Sequence, residues 1–522
     1  MIKEEQIVID LIKWLKKRAA DLNLFKRQMA KKYKIACPSN VVLLKAYHNL
    51  LKKKKIKNQP FIESLLRTRP IRSLSGIVNI SVLTKPYPCP GQCLYCPLEN
   101  NIPKSYVSGE PAVDRAKNLN YDPYRQTQKR IEALKLEGHP TDKIELRIVG
   151  GTWSFYPKKY QVWFIKRCFD ACNEKTSRNL KQAQKLNEKA KHKIVGLSVE
   201  TRPDFINQKE IKWLRGLGVT MVELGVQSID DDVLKLNLRG HGTKEIISAT
   251  KLLKDAGFKV LYQMMLNLPD SDLAKDEQMF EELFKNPNFQ PDYLKIYPCA
   301  LLKEAPLFKL WQAGKYQPYT EKQLIELLIK IKKKIPYYVR IQRIVRDIPS
   351  QKIISGVKIS NLRQVLIEKM KKENWRCQCI RCREIKKEYD PKEKIYLFRQ
   401  DYQANDGQEI FLSFENKNRT KLYSLLRLRI PLKSEVLSVF PILKNASLVR
   451  EIHTYGETVP IGKKKIAPQH QGLGKKLMKV AEKISKKEFG LREIAIIAAI
   501  GARNYFRKLG YQLNNTYLIK KL

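Results

Sequence analysis

Long apolar segments are missing from this chain of 522 residues. Its longest apolar run, IAIIAAIGA from Ile494, has the length of a strand and falls short of the roughly 18 residues that span a bilayer. The N-terminal segment alternates charged with apolar residues and lacks the continuous apolar core of a secretory signal. We therefore expect a soluble, cytoplasmic protein with no membrane partner.

Acidic residues are also scarce, because 52 Asp and Glu face 101 Lys and Arg, which leaves a net charge of +49. Such an excess favours a polyanionic partner, since Lys and Arg that neutralise phosphates release counterions. A Lys-rich genome would produce the same composition, so the position of the charge matters. Residues 1–75 hold 19 Lys and Arg against 5 Asp and Glu. This basic region, which has helical periodicity, is typical of a nucleic-acid contact.

The hydrophobic pattern changes twice along the chain. After the helical residues 1–75, short β-branched runs alternate with amphipathic stretches over 76–372, which predicts a partial (βα) barrel with a parallel sheet. A charged, Cys-bearing connector covers 373–394. Residues 395–522 then read as meandering strands with one long helix, which predicts an α+β domain. The fold class is therefore α/β, with an N-terminal helical region and a C-terminal α+β domain.

Three cysteines, Cys89, Cys93 and Cys96, lie within eight residues directly after a predicted strand, in the string PCPGQCLYC. Three thiolates on one loop can each bind an iron of a 4Fe-4S cluster and leave the fourth iron without a protein ligand. An open iron is what chelation of S-adenosyl-L-methionine requires for reductive cleavage to a radical. A structural zinc loop is the alternative, but the strand before the loop and the β–α units after it favour the cluster.

Two glycine motifs follow strands. VGGT places Gly150, Gly151 and Thr152 at a strand end, where the backbone can approach the methionyl end of the cofactor; a tight βα turn is the alternative. QHQGLG, with Gln469, Gly472, Leu473, Gly474 and Lys475 around it, opens a helix whose free N–H groups can bind a pyrophosphate. It matches the Q-x-x-G-x-G pattern by which GCN5-related acetyltransferase (GNAT) domains bind acetyl-CoA.

A second cysteine group, Cys377, Cys379 and Cys382, is one ligand short of a tetrahedral zinc site. We take Cys299, at the end of the strand DYLKIYPC, as the fourth ligand. Ordinary buried or exposed thiols are the alternative. The other cysteines, Cys37, Cys168 and Cys172, are predicted to be core residues.

From about residue 67 to the end, the chain resembles the catalytic subunit of Elongator in its archaeal or bacterial single-chain form. The strings that match, in the family's order, include TKPYPCPGQCLYCP, YDPYRQTQKRIEALKLEGH, ETRPD, ELGVQS, RGH, QRIVRDIPS, LLRLRIP, VREIHTYGETVP, QHQGLGKKLM and ARNYFRKLGY. The resemblance implies a radical S-adenosylmethionine (SAM) barrel joined to a GNAT domain. It also implies an enzyme that carboxymethylates C5 of the wobble uridine in the tRNA anticodon arm, with acetyl-CoA as co-substrate.

The resemblance further implies roles for individual residues. Cys89, Cys93 and Cys96 would hold the cluster, and Lys143 would contact acetyl-CoA from the barrel. Tyr505 would lie beside the thioester. The remaining acetyl-CoA contacts would be made by Glu451, Ile452, His453, Thr454, Gln469, Gly472, Leu473, Gly474, Lys475 and Phe506. The sequence neither requires nor excludes accessory subunits.

Three positions depart from the family pattern. The usual CPHG reads Cys89-Pro90-Gly91-Gln92, the usual P-G-G reads Pro97-Leu98-Glu99, and the usual Tyr-Tyr pair reads Tyr505-Phe506. Two other hypotheses therefore stay open here. One is a protein lysine acetyltransferase with a structural iron–sulfur cluster, and the other is a non-catalytic RNA-binding relative.

Overall fold

The structure is a computed structural model that describes residues 2–15, 21–386, 390, 392–431, 434–456 and 472–522. It contains a group of N-terminal helices, a parallel sheet covered by helices, and a C-terminal sheet with its own helices. The predicted α/β class with helical and α+β additions is confirmed. In the described part of the chain, no helix has both the length and the apolar character that crossing a bilayer requires.

The N-terminal helices are α1 (Lys3–Leu15), α2 (Leu22–Tyr33), α3 (Asn40–Lys52) and α4 (Pro60–Leu66). Their apolar faces form a separate core that includes Leu11, Phe25 and Tyr47. Trp14 packs against Phe25 with 5.2 Å between ring centroids. The aromatic side chains of this region therefore serve packing, as their helical spacing predicts. Its lysines at 52–55 are exposed, so the basic surface faces solvent.

A seven-stranded parallel sheet forms the middle of the chain, with neighbours in the order β1-β2-β3-β4-β5-β6-β8. Its strands are β1 (Val78–Leu83), β2 (Lys143–Val149), β3 (Lys193–Thr201), β4 (Met221–Gln227), β5 (Lys259–Leu266), β6 (Tyr293–Pro298) and β8 (Arg340–Arg343). The short strands β7 (Leu301–Leu302) and β9 (Ile353–Ser355) pair with each other.

Helices cover the outer face of this sheet, because side chains such as Ile144, Leu146 and Ile148 alternate outward along each strand. The helices are α5 (Pro111–Lys117), α6 (Pro123–Leu136), α7 (Lys158–Asn173), α8 (Leu180–Asn187), α9 (Gln208–Leu217), α10 (Asp231–Leu236), α11 (Thr243–Asp255), α12 (Leu273–Lys285), α13 (Leu307–Gln312), α14 (Glu321–Lys334), α15 (Leu362–Lys372) and α16 (Ile380–Arg383). Cys168 and Cys172 on α7 are fully buried, in agreement with their predicted core role, but the same prediction is wrong for Cys37, which is exposed in the segment between α2 and α3.

The C-terminal sheet has the order β10-β11-β12-β13-β14-β16-β15. Its elements are β10 (Tyr396–Ala404), β11 (Gly407–Glu415), β12 (Leu422–Pro431), β13 (Ala446–Thr454), α17 (Leu473–Lys487), β14 (Glu493–Ile496), α18 (Arg503–Arg507), β15 (Gln512–Asn514) and β16 (Tyr517–Lys521). Among these strands β13 and β14 are the parallel pair, and their pairing ends at Val449 and Ile496. Beyond that point β13 continues to Thr454 without β14 beside it, which opens a cleft.

The C-terminal sheet packs against the amino ends of the barrel strands. The guanidinium of Arg450 donates to the carbonyl of Phe258, just before β5, at 2.7 Å. Arg427 donates to the carbonyl of Tyr338, just before β8, at 2.7 Å. His453 Nε2 lies 2.9 Å from the carbonyl oxygen of Ser75, ahead of β1. The carboxyl ends of the barrel strands therefore remain available for a site.

Candidate functional site

The first cysteine group lies at the carboxyl end of the barrel, as the sequence predicts. One cavity is lined by Cys89, Cys93, Cys96 and the segment Gly150–Thr152 together with side chains from the barrel interior. The Cys89 Sγ atom is 3.8 Å from Thr152 Oγ1, so the cysteine loop and the VGGT turn are direct neighbours. Gly150 has φ +146°, and a Cβ there would lie 2.0 Å from Thr84 Oγ1, so this turn requires glycine.

These three thiols do not converge on one point as the ligands of a single ion would. Within the described residues, the group of three possible ligands whose ligand atoms all lie within 4.8 Å of one another is Cys377, Cys379 and Cys382. Cys89, Cys93 and Cys96 do not meet that distance, as expected when each thiolate binds a different iron. Buried donor atoms also border the loop, because Arg202 Nη1 and Arg239 Nε have no hydrogen-bond partner in the described part of the chain.

Electrostatics at the loop favour a thiolate at Cys93. A hydrogen bond with Cys96 and then the charge of Arg239 lower the pKa of the Cys93 thiol, although burial opposes this. The same hydrogen bond and burial raise the pKa of Cys96. Metal ligation requires deprotonated thiols, and the positive charge beside Cys93 supplies part of that stabilisation.

Charged side chains fill the barrel interior below the cysteine loop. Lys295 Nζ lies 2.9 Å from Glu200 Oε1 and also pairs with Glu223. Arg147 lies 2.9 Å from Glu223, and Gln263 donates to Glu200 at 3.0 Å. Burial opposes ionisation of Glu223, but Arg147 and Lys295 lower the pKa of its carboxyl. The site can therefore hold polar ligands in a preorganised, water-poor environment.

The sequence analysis did not identify these interior residues. A signal was available, because each charge lies inside an otherwise apolar strand at an inward position, as in KIELRIV, VELGVQ and YLKIYP. A charge within a predicted parallel strand faces the interior of the barrel when its neighbours face the helices.

The second candidate site is the cleft between β13 and β14. Gly472, with φ +69°, precedes α17, and a Cβ at Gly474 would lie 2.9 Å from Tyr505 Oη and 3.7 Å from both Ile452 Cδ1 and Thr454 Oγ1. In the described part of the chain, the amino end of α17 therefore faces the Tyr505 ring and the edge of β13 that β14 leaves uncovered. This geometry suits a pyrophosphate at the helix end and an extended thiol arm along β13.

Two of the other predicted acetyl-CoA residues, Glu451 and His453, have their side chains on the opposite face of β13. Glu451 and His453 turn away from Gly474: Glu451 bonds to Arg427 at 2.8 Å and to Tyr293, and His453 stacks on Tyr455 at 4.2 Å. These side chains contact residues of the barrel, Tyr293 and Ser75, so a contact of Glu451 and His453 with acetyl-CoA would be made by their backbone. Strand alternation is the physical reason, since neighbouring residues of β13 face opposite sides.

Four other predicted residues differ in their exposure to solvent. Leu473 and Phe506 are buried in the apolar core, whereas Lys475 and Tyr505 are exposed. Packing in the core directs the Phe506 ring inward, so it offers no surface to a ligand. The predicted contact of Gln469 lies outside the described residues.

Lys143 begins β2, at the amino end of the barrel and opposite the cysteine loop. Its partner in the β2–β3 register is Lys193. A Cβ at Gly501 would lie 2.7 Å from Lys193 Cβ, so the segment leading into α18 and Tyr505 packs at this edge. The structure thus places Lys143 on the side of the barrel that meets the C-terminal domain. Burial lowers the pKa of its ammonium group.

The second cysteine group also lies at the amino end of the barrel. Ile380, between Cys379 and Cys382, donates to the carbonyl of Val339 just before β8. Cys299 instead follows the carboxyl end of β6 and packs with Cys93 and Tyr316. The prediction of Cys299 as the fourth zinc ligand is therefore wrong, because the length of the parallel strands separates it from the other three thiols.

Comparison with known proteins agrees with this architecture. The family model described as "Radical SAM superfamily" matches residues 87–283, and the model described as "Radical_SAM C-terminal domain" matches residues 291–372. The chain is 45% identical over 507 residues to a tRNA uridine(34) acetyltransferase of Methanocaldococcus infernus, covering 94% of this chain and 92% of the relative. It is 38% identical over 524 residues to Elongator complex protein 3 of Homo sapiens, covering 96% and 93%.

A solved structure of the archaeal Methanocaldococcus infernus Elp3 with an N-terminal deletion matches with a TM-score of 0.75 and 43% identity. The match covers 86% of this chain and all of that one. The barrel carrying the cysteine loop, the C-terminal sheet and the extent of these similarities lead to one conclusion. The chain belongs to the family of the tRNA uridine(34) acetyltransferases and Elongator complex protein 3, within the radical SAM superfamily.

Proposed function

We propose that this protein carboxymethylates C5 of the wobble uridine of tRNA, with acetyl-CoA as the source of the carbon unit. One observation carries the proposal: a single chain combines a radical SAM cysteine loop with a second cleft, in which the amino end of a helix faces a strand edge. Relatives that match over nearly the whole chain are named tRNA uridine(34) acetyltransferase. A tRNA substrate would place the protein in the cytoplasm.

The radical SAM domain implies a 4Fe-4S cluster and S-adenosylmethionine. Cys89, Cys93 and Cys96 would hold the cluster, which supplies one electron for homolysis of the sulfonium bond when both are bound. The backbone of Gly150 and Gly151 would position the methionyl group. Lys295 pairs with Glu200 and Glu223, and Arg147 pairs with Glu223, so these groups would orient polar substrate atoms without moving during the reaction.

Acetyl-CoA would bind in the cleft between β13 and β14. The amide groups that open α17 would receive the pyrophosphate, with Gly472, Gly474 and Lys475 around it, and the backbone of Glu451–Thr454 would bind the pantetheine arm. Tyr505, exposed beside Gly474, would contact the thioester. Lys143 would complete the site from the barrel side, and hydrolysis from CoA would follow transfer.

The tRNA would bind along the basic N-terminal region. The lysines at 52–55 are exposed and their charge suits phosphate neutralisation. We retain the division into 1–75, 76–372, 373–394 and 395–522 as part of this proposal, with tRNA binding in the first part. The reconstitution below uses this chain alone, so product formation there would show that accessory subunits are not required.

A structural zinc ion would bind Cys377, Cys379 and Cys382. Their sulfur atoms lie within 4.8 Å of one another, and Zn–S bonds of about 2.3 Å fit such a spacing. Cys379→Ala should release the zinc found by elemental analysis of the purified protein, while Cys299→Ala should retain it. Equal zinc content in both variants and the parent would contradict this assignment.

The experiment is an anaerobic reconstitution with iron, sulfide, dithionite, S-adenosylmethionine, acetyl-CoA and a tRNA that has a wobble uridine. Mass spectrometry of the nucleosides should detect 5-carboxymethyluridine. The signal should disappear in Cys93→Ala and fall at least tenfold in Gly474→Val. A cluster that forms and cleaves S-adenosylmethionine without any modified nucleoside would contradict the proposal. Acetylation of lysine peptides by the same preparation would then support a lysine acetyltransferase instead.

A further inference from the structure

Arg239 is a buried arginine, only 4% exposed. Among the described residues, no Asp or Glu forms an ion pair with it; the neighbouring Asp204 pairs with Arg202 and His241 instead. Isolated buried charges are strongly unfavourable, so a buried arginine requires a counter-charge. The groups that provide one here are the sulfur atoms of the cysteine loop.

The contact is direct. Arg239 Nη1 donates to Cys93 Sγ at 3.1 Å, and Nη2 donates to the carbonyl of Gly225 in the middle of β4. A Cβ at Gly225 would lie 3.3 Å from Arg239 Nη2, so the absence of a side chain there lets the guanidinium reach the strand. The third guanidinium nitrogen, Nε, is buried without a hydrogen-bond partner in the described chain, so its N–H group can donate to another acceptor.

A tight turn fixes Arg239 in this position. Leu238 and Gly240 on either side have φ values of 54° and 68°, and the Arg239 amide donates to the carbonyl of Leu234 on α10. The carbonyl of Asn237 accepts from the amide of Leu94, the residue after Cys93. The turn and the cysteine loop are thus joined by both backbone and side-chain bonds, which limits reorientation of the guanidinium.

We propose that Arg239 is the fixed counter-charge of the iron–sulfur cluster and makes the cluster easier to reduce. A cluster with three thiolate ligands becomes more negative when it accepts an electron. A buried cation bonded to one of its sulfur ligands stabilises that reduced state more than the oxidised one. Arg239 is therefore a positioning residue that sets how readily one electron enters the site.

The test compares Arg239→Gln, which can still donate to sulfur but has no charge, with Arg239→Lys, which retains the charge. Each purified protein is reconstituted anaerobically, matched for iron content, and reduced with dithionite at a fixed potential; the reduced cluster is counted by electron paramagnetic resonance. Arg239→Gln should lower the ratio of reduced to oxidised cluster about tenfold, which is about 59 mV for a one-electron couple. Arg239→Lys should stay within about threefold of the parent.

Lys235→Gln is the matched control. It removes one positive charge from α10, the helix that leads into the same turn, but Lys235 is exposed, so solvent screens its charge. This variant should leave the ratio within about twofold. An unchanged ratio in Arg239→Gln, an equal fall in the Gln and Lys variants, or failure of both to retain the cluster would each overturn the assignment.

This inference rests on the cluster of the proposed function but not on tRNA or acetyl-CoA. The titration contains neither compound, so its outcome is separate from that of the nucleoside assay. A normal titration with no modified nucleoside would contradict the proposed substrate and leave the role of Arg239 intact.

Discussion

The two ends of the parallel barrel use buried charge for different purposes. At the carboxyl end, Lys295, Glu200 and Glu223 line a cavity below the cysteine loop. At the amino end, Arg450 and Asp292 are fully buried between the barrel and the C-terminal sheet. The first set keeps its groups within reach of a ligand, whereas the second satisfies its groups internally. Ion pairs of similar composition therefore line a cavity at one end of the barrel and join the barrel to the C-terminal sheet at the other.

The amino-end network is dense. Arg450 bonds to Asp292 and to Glu409, and Arg429 bonds to Glu409 and to Asp255. Asp292 and Glu409 each pair with two arginines. Removal of one member leaves an unpaired buried charge, which is more costly than the loss of the original attraction.

The largest expected effect on stability follows from Arg450→Met. The change leaves Asp292 and Glu409 with weakened compensation in a dry interface, so we expect a loss of about 3–5 kcal/mol in the free energy of unfolding. Urea unfolding followed by fluorescence measures it. The exposed residue Lys475 provides a control as Lys475→Met. A loss below about 1 kcal/mol would contradict the role given to this network.

A pH titration sharpens the same comparison. Burial opposes ionisation of Glu451, but Lys259 and Arg427 lower the pKa of its carboxyl from 4.5 to about 2. Because the folded pKa lies below the unfolded one, the stabilisation is complete above about pH 5 and is lost as the pH falls towards 2. At 1.36 kcal/mol per unit, the shift corresponds to about 3 kcal/mol.

Stability measured against pH in the parent and in Glu451→Gln tests this expectation. The difference between the two proteins should shrink between about pH 5 and pH 2. Glu435→Gln, at an exposed position, should follow the parent curve throughout. Parallel curves for the parent and Glu451→Gln would exclude Glu451 as a source of this pH dependence.

At the carboxyl end the same kind of substitution should affect activity more than stability. In Lys295→Met, Glu223 keeps Arg147 as a partner, and Glu200, which unlike Asp292 is partly exposed and lines a cavity that water can enter, keeps Gln263 and Tyr106. We therefore expect less than about 2 kcal/mol of lost stability. Formation of modified nucleoside should nevertheless fall at least tenfold, since the cavity loses a fixed cation. Unchanged product formation would remove Lys295 from the proposed site.

The smallest expected effect comes from a single methyl group in the C-terminal cleft. Gly474→Ala places a Cβ 2.9 Å from Tyr505 Oη, and the tyrosine ring must move. Acetyl-CoA affinity, measured by calorimetry, should fall severalfold with no change in iron content. Gly216→Ala is the control, because a Cβ there meets no atom within 4 Å. Equal affinity in both variants would contradict the position proposed for the thioester.

Local pattern was sufficient to predict the main elements. The apolar strands that become β1 to β6, the cysteine loop after β1 and the glycine-rich start of α17 depend on short-range periodicity and turn chemistry. The family resemblance added the roles that we propose for the cysteines and for the cleft beside α17. Alternation along β13 could also have been read from the sequence, and it would have assigned Glu451 and His453 to the opposite face from Ile452 and Thr454.

Which distant residues meet was decided only in three dimensions. The sequence determined that the chain has a barrel, a cysteine loop and a C-terminal α+β domain, because each rests on spacing within a few tens of residues. It could not reveal that Cys299 lies a strand's length from Cys377, or that Arg239 donates to Cys93 across 146 residues of chain. Such contacts depend on strand order and on the closure of the barrel. Buried charges then find their partners wherever packing excludes water, and that choice is a property of the whole fold.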